Sequence, residues 1–201
     1  MSETVYTIGH STHAEEQFLA LLKQHGITAV ADVRSSPYSP RNPQFNREYL
    51  QRALAEGGID YVFLGAELGA RSDDPACYVN SQVQFDRLAA TESFQRGLAR
   101  VRERMRDNRL ALMCAEKDPL ECHRTILVAR QLAARGVAVI HILADGTTEG
   151  HEQALARLVR QLKMPECDLF RSRDDVLDDA YRMQGARIAY TDEREALDFG
   201  L

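Results

Sequence analysis

The sequence predicts an α/β protein with a three-layer, mostly parallel, five-stranded open sheet of Rossmann-like type and a C-terminal extension. Three observations predict it. Short apolar runs alternate with helical periodicity through the first 163 residues. Leu110 to Cys114 is apolar throughout, as expected of a central parallel strand covered on both faces. Capping and stop residues, among them Gly26 and Gly57-Gly58, mark where helices begin and end.

The elements follow in order. Strand one runs from Thr4 to Ile8 and opens into Gly9-His10-Ser11. Thr12, with Glu15 three residues on, reads as the cap of a helix that Gly26 ends. Strand two, Ala29 to Val33, meets Arg34 and then Pro37, Pro40 and Pro43, a stretch that cannot be helix and is long enough to be functional. A helix from about Arg47 to Glu56 precedes strand three at Asp60 to Leu64, and Gly65 to Ser81 reads as a second irregular loop. Helical periodicity over Phe85 to Met105 breaks near Thr91. Strand four is Leu110 to Cys114, and its helix runs to about Ala134. That helix is announced by Asp118 as N-cap, Pro119 at its first position and Glu121 three residues after the cap, which places Cys122, His123 and Arg124 in its first two turns. Val137 to Leu143 makes strand five and His151 to Leu162 an amphipathic helix. Residues 1–163 thus form one α/β domain. The acidic tail, 164–201, packs on it as a helix plus an edge segment, or wraps the core.

Composition narrows the function classes. At 44% hydrophobic and 27% charged residues the chain is of soluble globular type, and its apolar runs stop far short of the ~20 residues of a membrane span. The amino terminus lacks a basic region followed by an apolar stretch, so a cytoplasmic location is expected. Four irregularly spaced cysteines argue for reduced thiols rather than a disulfide scaffold. A net charge of −5 makes indiscriminate nucleic-acid binding unexpected.

Ligands of open parallel sheets bind at the carboxyl ends of the strands. There the chain places His10 and Ser11, then Arg34, then Cys114 and Glu116, with Cys122, His123 and Arg124 just beyond. If strands one and four are neighbours, the first and last of these sets converge across one crevice. Together, Thr7-Ile8-Gly9-His10-Ser11, Asp32-Val33-Arg34 with Pro37 and Ser39, Leu68-Gly69, and Leu112 to Glu116 followed by Cys122-His123-Arg124 resemble the signature blocks of the domain of unknown function 488 family. The resemblance covers roughly residues 4 to 163, with Ala70 where the family often has a second glycine. It implies a compact α/β fold with a shared pocket, turns His141 toward the cleft, and names no reaction.

The residues themselves point to anion chemistry. Arginine binds phosphate or carboxylate through paired hydrogen bonds, so Arg34 and Arg124 read as anion clamps, against the alternative of a salt bridge with Asp32 or Glu116. Cys114, Glu116 and His10 are the expected catalytic groups; Ser11, Tyr38, Cys122 and His123 join the arginines as ligand-binding residues. Arg34, Arg41 and Arg47 alternate with Tyr38 and Phe45, and Tyr49 and Arg52 continue the pattern, which suits a nucleotide or nucleic acid unless Phe45 and Tyr49 belong to the core. Six residues past Cys114, where a cysteine phosphatase loop would carry arginine, stands Leu120. Seven residues separate Cys114 from Cys122, unlike the close pairs that zinc prefers, so no metal is expected. The sequence names no cofactor. The leading expectation is an enzyme acting on a phosphate-bearing small molecule or nucleic acid. Its rivals are a non-catalytic nucleotide or nucleic-acid module and a thiol-redox or metal-binding protein.

Overall fold

The computed structural model describes residues 3–165 and 171–192. The strands are β1 (Thr4–Gly9), β2 (Ala29–Asp32), β3 (Asp60–Phe63), β4 (Tyr78–Val79), β5 (Gln82–Val83), β6 (Leu110–Cys114), β7 (Ala138–Ile142) and β8 (Thr148–Gly150). The helices are α1 (Glu15–Gln24), α2 (Arg47–Glu56), α3 (Gly65–Leu68), α4 (Phe85–Ala90), α5 (Glu92–Met105), α6 (Arg130–Ala133), α7 (His151–Gln161) and α8 (Arg173–Ile188). One six-stranded sheet, ordered β3-β2-β6-β1-β7-β8, carries the fold, and all its pairings are parallel except β7 with β8. The α/β class and its mostly parallel sheet are as the sequence predicts, with six strands rather than five. The extra strand is three residues long and folds back at Gly146, whose φ of 84° suits glycine.

Side-chain alternation splits the core in two. Leu110, Leu112 and Cys114 pack with Val5, Ala31 and Val33 beneath α5, while Ala111 and Met113 join Tyr6, Ile8, Val30, Phe18 and Leu54 beneath α1 and α2. β6 is buried at every position, which is why its sequence shows no polar alternation. A third cluster joins Leu120 and Ile126 to Leu155 and Leu158 of α7 and to Val176 and Ala180 of α8. After α8, Tyr190 and Asp192 hydrogen-bond to Val83 and Ser81, next to the small β4–β5 hairpin.

Local differences from the expected elements have local causes. Ala14, not Thr12, occupies the cap position of α1, with no side-chain cap bond. The expected loop of Gly65 to Ser81 contains α3, a 3-10 turn at Pro75–Cys77 and β4. Another 3-10 turn, Pro43–Phe45, sits in the proline-rich loop, with proline at its start where no N–H is needed. Asp118 does cap, accepting from the Leu120 N–H, but it caps a single 3-10 turn at Pro119–Glu121. The helix does not continue from that turn. Leu120 is drawn into the α7–α8 cluster, Cys122 is extended (φ −139°, ψ 138°), and a π-helical segment, Arg124–Ala129, leads into α6. Such wide turns re-aim side chains and often accompany functional sites. No helix among the described residues is long and apolar enough to cross a membrane.

Candidate functional site

The carboxyl ends of β1 and β6 lie side by side, with His10 and Ser11 N–H groups donating to the carbonyls of Cys114 and Ala115. Gly9 makes this approach possible: a Cβ there would stand 1.9 Å from the Glu116 carbonyl oxygen. The loop beyond β6 is pinned from three sides. Arg124, fully buried, donates from NH1 to the Glu116 carbonyl at 2.8 Å. Arg157 grips Asp118 at 2.8 and 3.0 Å while also holding Glu149. Gln184 of α8 donates to the Leu120 carbonyl at 2.9 Å.

This scaffold brings Cys114, Cys122, His123 and Glu116 together. His123 Nε2 lies 2.9 Å from the Val33 carbonyl, which can only accept, so Nε2 carries the proton and Nδ1 faces the thiols. Nδ1 is 3.7 Å from Cys114 Sγ and 3.9 Å from Cys122 Sγ. Cys122 Sγ also accepts the Arg124 backbone N–H at 3.4 Å and lies 2.8 Å from Glu116 Oε2. The ligand atoms of Cys114, Cys122 and His123 all fall within 4.8 Å of one another. Spacing along the chain hid this group: the extended Cys122 folds back over the end of β6.

The electrostatics of the group are mutual. Burial raises the Cys114 thiol well above its usual range, and the neighbouring Cys122 adds to the effect. Burial opposes ionisation of Cys122 too, yet the Cys114 hydrogen bond, the Arg124 charge and His123 hold it well below the usual thiol range. Burial and the charge on Cys122 push the Glu116 carboxyl up. His123 is raised by its bond to Cys122 against the cost of burial. Arg124 Nε has no hydrogen-bond partner and the nearest acceptors of its guanidinium are carbonyls, so a buried cation stands behind the thiols.

Cys114, Glu116 and His123 line a cleft of about 260 Å³, together with Arg34, Ser35 and Arg71. Arg71 lays its guanidinium 4.2 Å from the Tyr190 ring centre, and Ile188 and Tyr190 make the cleft wall part of the tail. A larger hollow of about 760 Å³ opens on the other side of the β6 loop. It contains Ser11 but no thiol, and its Arg157, Asp118 and Glu149 are already paired with one another.

Of the remaining expected site residues, Arg34 also lines the smaller cleft, and the others do not. His10 follows Tyr6 and Ile8 toward the α1–α2 face, where it stacks on Phe45 at 4.3 Å. Its Nδ1 donates to the Ser11 carbonyl at 2.9 Å, leaving Nε2 to accept from Arg34 at 3.3 Å, and burial pushes its pKa down to about 4. Arg34 is held by Asp32 through Nε at 2.9 Å and NH2 at 2.6 Å, so it reaches the cleft wall with its fork already engaged. Tyr38 is exposed and bonded to Glu48 at 2.7 Å. Phe45 is in the core, whereas Tyr49 is exposed. His141, expected toward the cleft, is instead fully buried between Thr7 and His151. Sequence reasoning passed over Arg71, Ser35 and Tyr190, which carry no local motif and meet the site only through the fold.

An open, mostly parallel α/β sheet with a thiol–imidazole–carboxylate group at the end of its central strand defines the class of protein. A sequence-family model described as "Domain of unknown function DUF488" matches residues 14–131, and the chain belongs to that family. The matched span takes in Arg34 and the whole stretch from Cys114 to Arg124. No curated protein and no solved structure matches the chain.

Proposed function

We propose that this chain is an enzyme, of hydrolase or transferase type, acting on a small phosphate-bearing substrate in the cleft at the end of β6. The observation that carries the reading is the His123 ring: Val33 fixes one nitrogen and the other faces two sulfurs, of which that of Cys114 belongs to a residue lining the cleft. A base, an orienting acceptor and a thiol in contact meet the geometric requirement for activating a reacting group. Glu116 adds a carboxyl whose raised affinity for protons suits proton transfer.

Arg71 supports the anionic substrate. Its flat face is taken by Tyr190, which leaves its donor edge to an anion, with Ser35 and Ser36 beside it. A small substrate is favoured over a polymer because the cleft is about 260 Å³ and Phe45, central to the aromatic pattern of the proline-rich loop, is buried in the core. Inorganic phosphate and a panel of small phosphate esters and nucleotides are expected to raise the melting temperature through mass action. Arg71→Ala is expected to weaken binding about tenfold or more, in line with the ~1.5–3 kcal/mol of a hydrogen bond to a charged group. Cys114→Ser retains binding and loses turnover. A panel that neither stabilises the chain nor is turned over overturns the reading; stabilisation without turnover by any member makes the protein a binding module.

A further inference from the structure

We infer that Cys114, Cys122 and His123 form a binding site for one zinc-type divalent ion on the wall of the cleft. The inference leaves the proposed substrate class unchanged and reassigns two of its groups: with the ion bound, His123 Nδ1 and the Cys114 thiolate are its ligands and not a base and a free nucleophile. Zinc bonds of about 2.3 Å to sulfur and 2.0–2.1 Å to nitrogen give tetrahedral edges of roughly 3.5–3.8 Å between ligand atoms. The two sulfur-to-Nδ1 separations are 3.7 and 3.9 Å, within a few tenths of an ångström of such an edge, and the two sulfurs lie within 4.8 Å of each other.

The surroundings of the three ligands fit an ion better than they fit bare thiols. A metal-bound imidazole characteristically donates its other N–H to a carbonyl or carboxylate, which fixes the ring and its tautomer, and His123 does this to Val33 at 2.9 Å. The backbone N–H of Arg124 points at Cys122 Sγ, the contact that a thiolate ligand accepts. Arg124 itself is a fully buried cation with Nε unbonded and no carboxylate in its hydrogen bonds. Its charge favours the thiolate form in which cysteine ligates a metal. Two sulfurs and one nitrogen select a soft or borderline ion over magnesium or calcium, which take oxygen ligands.

Three protein ligands leave a fourth position. Cys114 and His123 both line the cleft, so the fourth ligand can come from there, as in zinc sites that act on substrates rather than in closed structural ones. Glu116 stands next to the cluster, 2.8 Å from Cys122 Sγ. Its place beside the ion fits a proton-handling carboxylate.

The full chain, reduced and stripped with a chelator, is titrated with zinc against a colorimetric competitor and with cobalt as a spectroscopic probe. One ion per chain should survive gel filtration, and cobalt should develop thiolate charge-transfer absorption with the intense visible bands of tetrahedral coordination. Cys114→Ser and Cys122→Ser should each weaken binding by more than about 100-fold, beyond the 10–100-fold cost of outer-shell changes. Cys77→Ala should leave it unchanged. Because a ligand variant could misfold, alkylation of the wild-type chain is mapped with and without zinc, and zinc should shield Cys114 and Cys122 selectively. Cobalt spectra lacking thiolate bands, equal alkylation with and without zinc, or unchanged affinity in Cys114→Ser would overturn the site. So would a reduced chain that takes up no ion but links Cys114 to Cys122 on mild oxidation. None of these readouts uses a phosphate ligand or turnover, so failure here is separable from failure of the proposed function.

Discussion

Asp32 and Arg34 show how one side-chain pair decides what the rest of a site can do. Asp32 is fully buried and Arg34 is 5% exposed, and they meet through two hydrogen bonds at 2.9 and 2.6 Å. The carboxylate also accepts the Arg34 backbone N–H at 3.1 Å and the Tyr61 hydroxyl at 2.8 Å. The phenol of Tyr61 is raised by burial and by the Asp32 charge, so it stays a donor. A buried pair of this kind contributes little net stability against an apolar substitute, but breaking it leaves a naked charge. Asp32→Ala is therefore expected to cost about 3–5 kcal/mol in urea denaturation, and Asp32→Leu combined with Arg34→Met to recover most of the loss. A double variant no more stable than the single one would show that the pair does more than satisfy itself. The sequence presents both residues in Asp32-Val33-Arg34, but not whether the arginine turns outward to a ligand or back two residues to its own aspartate.

At the scale of elements, the loop after β6 depends on its neighbour β1. A methyl group on Gly9 would collide with the Glu116 carbonyl at 1.9 Å and crowd Arg124 at 3.2 Å. Gly9→Ala is expected to lower stability by about 1–3 kcal/mol and to speed alkylation of Cys122 as the loop is pushed outward; unchanged alkylation would place the strain elsewhere. Strand and helix alternation made the parallel sheet legible, and the all-apolar Leu110 to Cys114 gave its buried centre. Strand ends alone do not say which face of the sheet a side chain takes; alternation along the strand does. Grouping residues by strand end put His10 with Cys114, but β1 sends His10 to the α1–α2 face along with Ile8, whereas β6 sends Cys114 beneath α5 with Leu112. The π-helical start after His123 could not be read from capping rules either. Those rules describe an isolated helix, and here tertiary burial of Leu120 stops the first turn.

For the whole molecule, the interior holds histidines that folding keeps neutral. Burial lowers the pKa of His10 to about 4 and, together with His151, that of His141 to about 3; burial takes His151 to about 4. The unfolded chain, with values near 6.5, binds these protons first. Their contribution is therefore intact above pH ~6.5 and is lost as the pH falls through the folded values, at about 1.4 kcal/mol per pH unit per histidine. A urea midpoint well below its pH 7.5 value is expected at pH 5, and an equal midpoint would contradict burial of neutral rings. His141 and His151 are also links in a relay that joins Thr7 of β1, at 2.8 Å, to the Tyr181 hydroxyl of α8, at 2.8 Å, through a ring-to-ring bond of 3.1 Å. That relay has a consequence for how the chain is born. Tyr181 follows His151 by 30 residues, so at about 5–20 residues per second the ribosome delivers it roughly 1.5–6 seconds later. During that interval the nascent sheet holds an imidazole still waiting for its last partner.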